Sequence, residues 1–224
     1  MKRTKLRDRV LPNYSRKEEL FNMISHIVGG GFGVIALLLC VVFSAINKDA
    51  VAIVSSIIYG ISLISLYTMS SLYHGLHPNT AKKILQIIDH CTIYMLIAGT
   101  YTPILLVKVR LINSLVAWGL FVFVWGCAIL AATLTAIDLK KYNKLSMLCY
   151  ILIGWSAVFA LNTIIEAITI PGFIYILVGG LAYTIGAIIY GIGKKKTIMH
   201  SIFHLFCLLG SIIQFICVFF YVIL

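Results

Sequence analysis

The sequence predicts an all-α membrane protein, a seven-helix transmembrane bundle, and three observations carry that prediction. The 224 residues are 61% hydrophobic and only 11% charged, against roughly 25% charged in a soluble domain, and the mean hydropathy is +1.04. Seven apolar runs are long enough to cross about 30 Å of hydrocarbon. The Lys and Arg residues between them fall almost entirely in alternate connections, as the positive-inside rule requires.

Each element follows in order. The first 20 residues hold seven Lys and Arg and read as a cytoplasmic basic tail. No small-residue cleavage site closes the apolar run behind them, so a removed signal peptide is not expected. Residues 21–224 then form one transmembrane domain. The first span, 22–46, contains Gly29-Gly30-Gly31-Phe32-Gly33; inside an apolar span such small residues admit a neighbouring helix rather than a phosphate. Asn47-Lys48-Asp49 leads to the second span, 51–74, and His77 to Lys83 leads to the third, 84–107. Gly99 and Pro103 predict a kink in that third span. Lys108 to Arg110 precedes the span 111–134, and Asp138 to Lys141 precedes 143–165. Glu166 to Ile170 precedes 171–193, and Lys194-Lys195-Lys196 precedes 199–223.

Orientation follows from charge. With the N-terminus inside, the tail, Lys82 and Lys83, Lys140, Lys141 and Lys144, and Lys194 to Lys196 all lie inside. Only Lys48, Lys108 and Arg110 lie outside. The N-terminus is therefore expected in the cytoplasm and the C-terminus outside. The net charge of +11 reports topology and attraction to anionic headgroups, and no nucleic acid partner is expected. Six cysteines (Cys40, Cys91, Cys127, Cys149, Cys207, Cys217) stand singly with no C-x-x-C pair, which argues against a disulfide framework or a thiolate cage.

On this topology His74, Asp89, His200 and His204 reach one depth, near the cytoplasmic face. His74 ends the second span, Asp89 lies about a turn and a half into the third, and both other histidines open the seventh. Ionisable groups are costly in hydrocarbon and mark function there. His200-x-x-x-His204 puts two imidazoles on one helix face, and His74 would supply a third nitrogen. Three imidazoles leave the fourth position of a tetrahedral zinc open for water, the pattern of catalytic sites. Asp89 could ligate directly or act as general base, and Ser70, four residues before His74, could stabilise an oxyanion. Each histidine could instead hydrogen-bond across helices; spacing alone leaves both readings open.

These residues sit in motifs that resemble the haemolysin III family, the bacterial branch of the progestin and adiponectin receptor superfamily. The matching segments are Glu18-Glu19-x-x-Asn22-x-x-Ser25-His26-x-x-Gly29, Ser70-Ser71-Leu72-Tyr73-His74, Asp89-His90-x-x-Ile93-Tyr94, Ile97 to Pro103 and His200-x-x-x-His204. The resemblance implies a seven-helix bundle in the bacterial plasma membrane with Zn2+ near the cytoplasmic side. It implies His74, His200 and His204 as ligands, Asp89 on the metal's water, and Ser70 close by. Relatives in the wider group hydrolyse lipid amides with a similar set, which implies a zinc-dependent hydrolase of lipid amides or esters. Membrane lipid is then the expected substrate or ligand. Relatives frequently carry Glu where this chain has Ser201, which changes the surroundings of the ligands rather than the ligands.

Other polar residues carry weaker expectations. His26 is the best substitute ligand, against a structural hydrogen bond to Asn22 or Glu19. His90 is rotated about 100° from Asp89 around the helix and suits packing; His77 suits a solvated loop. Glu18 and Glu19 are expected to pair with tail or loop cations, as exposed charges usually do, or else to lie over the mouth of the site. The alternatives to a hydrolase are a receptor-like regulator of membrane lipid or energy state, and the cytolysis for which the family is named. An ion transporter is disfavoured, because no matching acid occupies the other half of the membrane.

Overall fold

The helix starts are set by short polar side chains at the connections. In the computed structural model, which describes residues 3–193 and 196–224, Ser15 and Glu18 form a reciprocal capping box that opens α1, Arg16–Ile46. Such a box satisfies two backbone donors that a helix start otherwise leaves free. Asp49 caps α2 (Ala50–Gly75), Asn79 caps α3 (Thr80–Pro103), Asn113 caps α4 (Ser114–Ile137) and Asp138 caps α5 (Leu139–Gly154). α6 spans Leu161–Ile192 and α7 spans Ile198–Cys217. No strand occurs among the described residues. Lys194 and Lys195 of the last expected connection, like Lys2 of the tail, lie outside the described residues.

Six helical runs among the described residues are long and apolar enough to cross a membrane, with Leu139–Ile192 forming one run of 54 residues. That run is not uniform. A tight turn of 3-10 helix, Ser156–Ala160, separates α5 from α6. At Thr169 the backbone leaves the helical region altogether, with φ 64° and ψ 167°. Pro171 follows two residues later, and proline disfavours helical geometry at the residue before it. The break falls at one strained, exposed residue within the stretch Glu166 to Ile170 where a connection is expected.

Contacts between sequence-distant segments define the two ends of the bundle. Arg3 Nε donates to the Ile137 carbonyl at 2.9 Å, the Thr4 amide donates to Asp138 Oδ2 at 2.8 Å, and Lys83 Nζ donates to the Arg7 carbonyl at 2.8 Å. The Thr197 hydroxyl donates to Glu18 Oε1 at 2.6 Å. The tail therefore lies across the same end as the α2–α3 and α4–α5 connections and the start of α7. The bond from Thr4, with others from the Lys141 and Lys140 amides, holds the Asp138 carboxyl below its usual range. At the opposite end Asn47 Nδ2 donates to the Ile223 carbonyl at 3.1 Å.

Small residues decide how closely α1, α2 and α3 approach. Gly29 faces the Tyr67 ring, and Gly33 lies against Leu63 and Ile64 of α2. Gly99 of α3 abuts the side chain of Ser62, whose hydroxyl is already committed to the Tyr59 carbonyl at 2.7 Å. A Cβ there has no room, and overpacking of this kind costs about 1–3 kcal/mol. Gly99→Val is expected to lower the melting temperature of the detergent-solubilised protein, whereas Gly119→Ala, whose Cβ meets nothing within 4 Å, leaves it unchanged. After Gly99, Pro103 removes a backbone donor, and the chain widens into a π-helical segment, Ile104–Val109. Where the sequence predicts a kink, the helix changes to π geometry.

Candidate metal centre

Two helices bring the histidines together at the end of the bundle where the tail lies. His74 is in the last turn of α2, and His200 and His204 are in the first two turns of α7. All three are buried. His200 Nε2 lies 3.2 Å from His74 Nε2 and 3.0 Å from His204 Nε2, and one nitrogen from each falls within 4.8 Å of the others. Nitrogens bound to one tetrahedral zinc at 2.0–2.1 Å would stand about 3.3 Å apart. Both separations from His200 are close to that spacing.

Proton accounting points the same way. A neutral imidazole carries one N–H and one lone pair, so three Nε2 atoms facing each other cannot all be satisfied by bonding among themselves. The Nδ1 atoms of His200 and His204 have no partner among the described residues. His74 Nδ1 lies 2.6 Å from Glu19 Oε2, and the other Glu19 oxygen accepts from Lys82 Nζ at 2.6 Å. Buried nitrogens with converging lone pairs are an arrangement that a cation satisfies. The residues present therefore fit the implied zinc.

Asp89 and Ser70 border the same space. Both line a cavity of about 150 Å³ together with His26, His90, His200 and His204. The Ser70 hydroxyl is buried without a hydrogen-bond partner. Asp89 sits about two and a half turns into α3, deeper than expected, because that helix starts at Thr80. Beyond the polar end the cavity is walled by Leu66, Ile93, Leu96, Ile97 and Cys207, and it reaches Gln214 on α7. Ten residues of helix separate His204 from Gln214, roughly 15 Å.

His26 is brought to the cluster in a different role from either expected one. Its ring stacks on His204 with centroids 3.8 Å apart and planes at 19°. Neither of its nitrogens has a partner, and both amide atoms of Asn22 are also unpartnered. The expected bonds from His26 to Asn22 or Glu19 do not form, because Glu19 is taken by His74 and Lys82. His90 is anchored by its own helix, Nδ1 donating to the Gln86 carbonyl at 2.8 Å, yet it also lines the cavity. The six cysteines are free thiols, and none belongs to the histidine group.

Sequence reasoning missed two participants, Tyr14 and Lys82, and left the part played by a third, Glu19, open. Tyr14 covers the cluster from the tail, its ring stacked on His200 at 5.1 Å and edge-on to His74 at 5.6 Å. Burial pushes its phenol well above the usual range, so it stays neutral. Lys82, counted only as a topology charge, is 2% exposed. Glu19 pairs with that loop cation, as expected, but also with a candidate ligand. The capping box Ser15-x-x-Glu18 was the available signal: it starts α1 at Arg16, which puts Glu19, Asn22 and His26 on one helical face at spacings of three and seven.

Comparison with known proteins identifies the family. A family model described as "Haemolysin-III related" matches residues 14–215. The chain is 38% identical over 206 residues to "Hemolysin-3" of Bacillus cereus, covering 92% of each chain. It is 37% identical over 208 residues to "Hemolysin-3 homolog" of Bacillus subtilis (strain 168), covering 93% of this chain and 96% of the relative. A more distant relative is the human "Monocyte to macrophage differentiation factor", 23% identical over 176 residues, with 76% of this chain and 71% of that one covered. No solved structure matches. With a match across nearly its whole length and an all-helical, membrane-spanning architecture, the chain belongs to the haemolysin III family.

Proposed function

We propose that this protein is a zinc-dependent hydrolase of a lipid amide or ester, working in the inner leaflet of the bacterial plasma membrane. The observation that carries the proposal is the convergence of three buried histidine nitrogens beside Asp89 and Ser70 at the polar end of an apolar cavity. His74, His200 and His204 would hold the ion. When bound, zinc supplies a Lewis acid and lowers the pKa of water to near neutrality. Asp89 takes the proton of the attacking water. The Ser70 hydroxyl donates to the carbonyl oxygen as it gains charge. The apolar walls take an acyl chain, and Tyr14 closes the polar end against bulk solvent.

In this reading the chain crosses the membrane seven times. The 54-residue run exceeds by far the roughly 20 residues that one crossing needs, and the break at Thr169 supports a reversal there. The basic tail and connections at the site's end support a cytoplasmic location for it. Purified protein given ceramides, other acyl amides and phospholipids is expected to release fatty acid from one of these classes. Absence of turnover on all of them, with zinc present, contradicts the hydrolase.

The printed name of the Bacillus cereus relative motivates a second reading, membrane lysis. It predicts dye release from liposomes that survives removal of the histidines. The hydrolase is favoured because the buried histidines gather beside Asp89 and Ser70 at one end of the bundle.

A further inference from the structure

We infer that Glu19 is a positioning residue that sets His74 for metal binding, and that Lys82 tempers the effect. This rests on the zinc reading above and adds how the affinity of that site is set. An ionised carboxylate only accepts hydrogen bonds. With Glu19 Oε2 2.6 Å from His74 Nδ1, that nitrogen must carry the proton. The ring's remaining lone pair is then on Nε2, the atom that faces His200 Nε2 at 3.2 Å. No such partner exists for Nδ1 of His200 or of His204 among the described residues. His74 is thus the member of the trio whose tautomer a carboxylate fixes before any ion arrives.

The other carboxylate oxygen has its own partner. Lys82 Nζ donates to Glu19 Oε1 at 2.6 Å and to the Leu76 carbonyl at 2.9 Å, and its side chain is only 3% exposed. A bridge that served only to tie α1 to α3 would need Glu19 and Lys82 alone. Placing the second oxygen on a candidate ligand does something more: it raises the basicity of His74 and favours a cation beyond it. Lys82 acts with the opposite sign. Its buried ammonium withdraws charge from the same carboxylate and repels a nearby cation. The two members of one ion pair should therefore have unlike effects on metal binding, although both support the fold.

The test is a zinc titration of the purified full-length protein against a chromophoric chelator, with thermal unfolding of the metal-free forms alongside. Glu19→Gln is expected to weaken zinc binding about 10- to 100-fold, the usual effect of losing such a partner. Lys82→Met is expected to bind zinc at least as tightly as the wild type, even as its metal-free melting temperature falls. Glu19→Gln binding zinc like the wild type overturns the inference. So does loss of affinity in both variants in step with their melting temperatures, the result of a purely structural bridge. If Glu19→Gln does not fold, weakened zinc binding by Lys82→Met overturns it alone. A wild-type protein with no affinity for zinc removes the zinc reading itself, which is a distinct result.

Discussion

The double variant His200→Ala, His204→Ala is expected to lose zinc and, with it, the stabilisation that zinc confers. The two rings supply adjacent nitrogens 3.0 Å apart from one helix, and His74 alone cannot hold a tetrahedral ion against water. With free zinc about 1,000-fold above its dissociation constant, binding to the native state adds about 4 kcal/mol. Added zinc should therefore raise the melting temperature of the wild type by several degrees and leave that of the variant unmoved. Equal shifts in both proteins would place the metal elsewhere. Because the two rings also pack against His26, His74 and Phe203, the metal-free variant should itself melt lower, so the comparison is of the zinc-induced shift and not of absolute temperatures.

Asp89→Ala should separate binding from chemistry. Asp89 lines the cavity with Ser70 but is absent from the group of three converging nitrogens. The variant is expected to keep zinc while turnover on the lipid substrate falls by about 10²- to 10⁴-fold, the usual contribution of a positioned proton acceptor. Turnover unchanged in Asp89→Ala would remove the hydrolase, whatever the metal content. Zinc lost in parallel would instead make Asp89 a ligand and put the proton transfer on another group.

Much of this arrangement is legible in the linear sequence, for identifiable reasons. Uninterrupted apolar runs report helices that face lipid, and the polar residues between them report the caps. Asp49, Asn79 and Asp138 stand in the expected connections and start helices, whereas the helix start at Asn113 lies three residues beyond the connection expected at Lys108 to Arg110. His74, Asp89, His200 and His204 stand out because any ionisable group in such runs is conspicuous. What the sequence hides is pairing at the membrane boundary. Lys82 and Glu19 are 63 positions apart, and each looks like an ordinary interfacial charge until α1 is seen to begin at Arg16. Tyr14 belongs to a tail whose composition suggests solvation, yet backbone and side-chain bonds dock that tail across the bundle end. At Thr169 the sequence marks the place but not the form: a connection is expected over Glu166 to Ile170, yet a positive φ at a β-branched residue is contrary to local preference.

The zinc site is the claim on which the rest depends, and the metal content of the protein as purified tests it most directly. Elemental analysis of wild-type protein, extracted without chelator or added metal and joined to X-ray absorption at the zinc edge, should return about one zinc per chain. The absorption should show three imidazole nitrogens at about 2.0–2.1 Å and one further light atom. Protein that carries no zinc and takes none up when zinc is supplied, or zinc surrounded mainly by sulfur, would contradict the account.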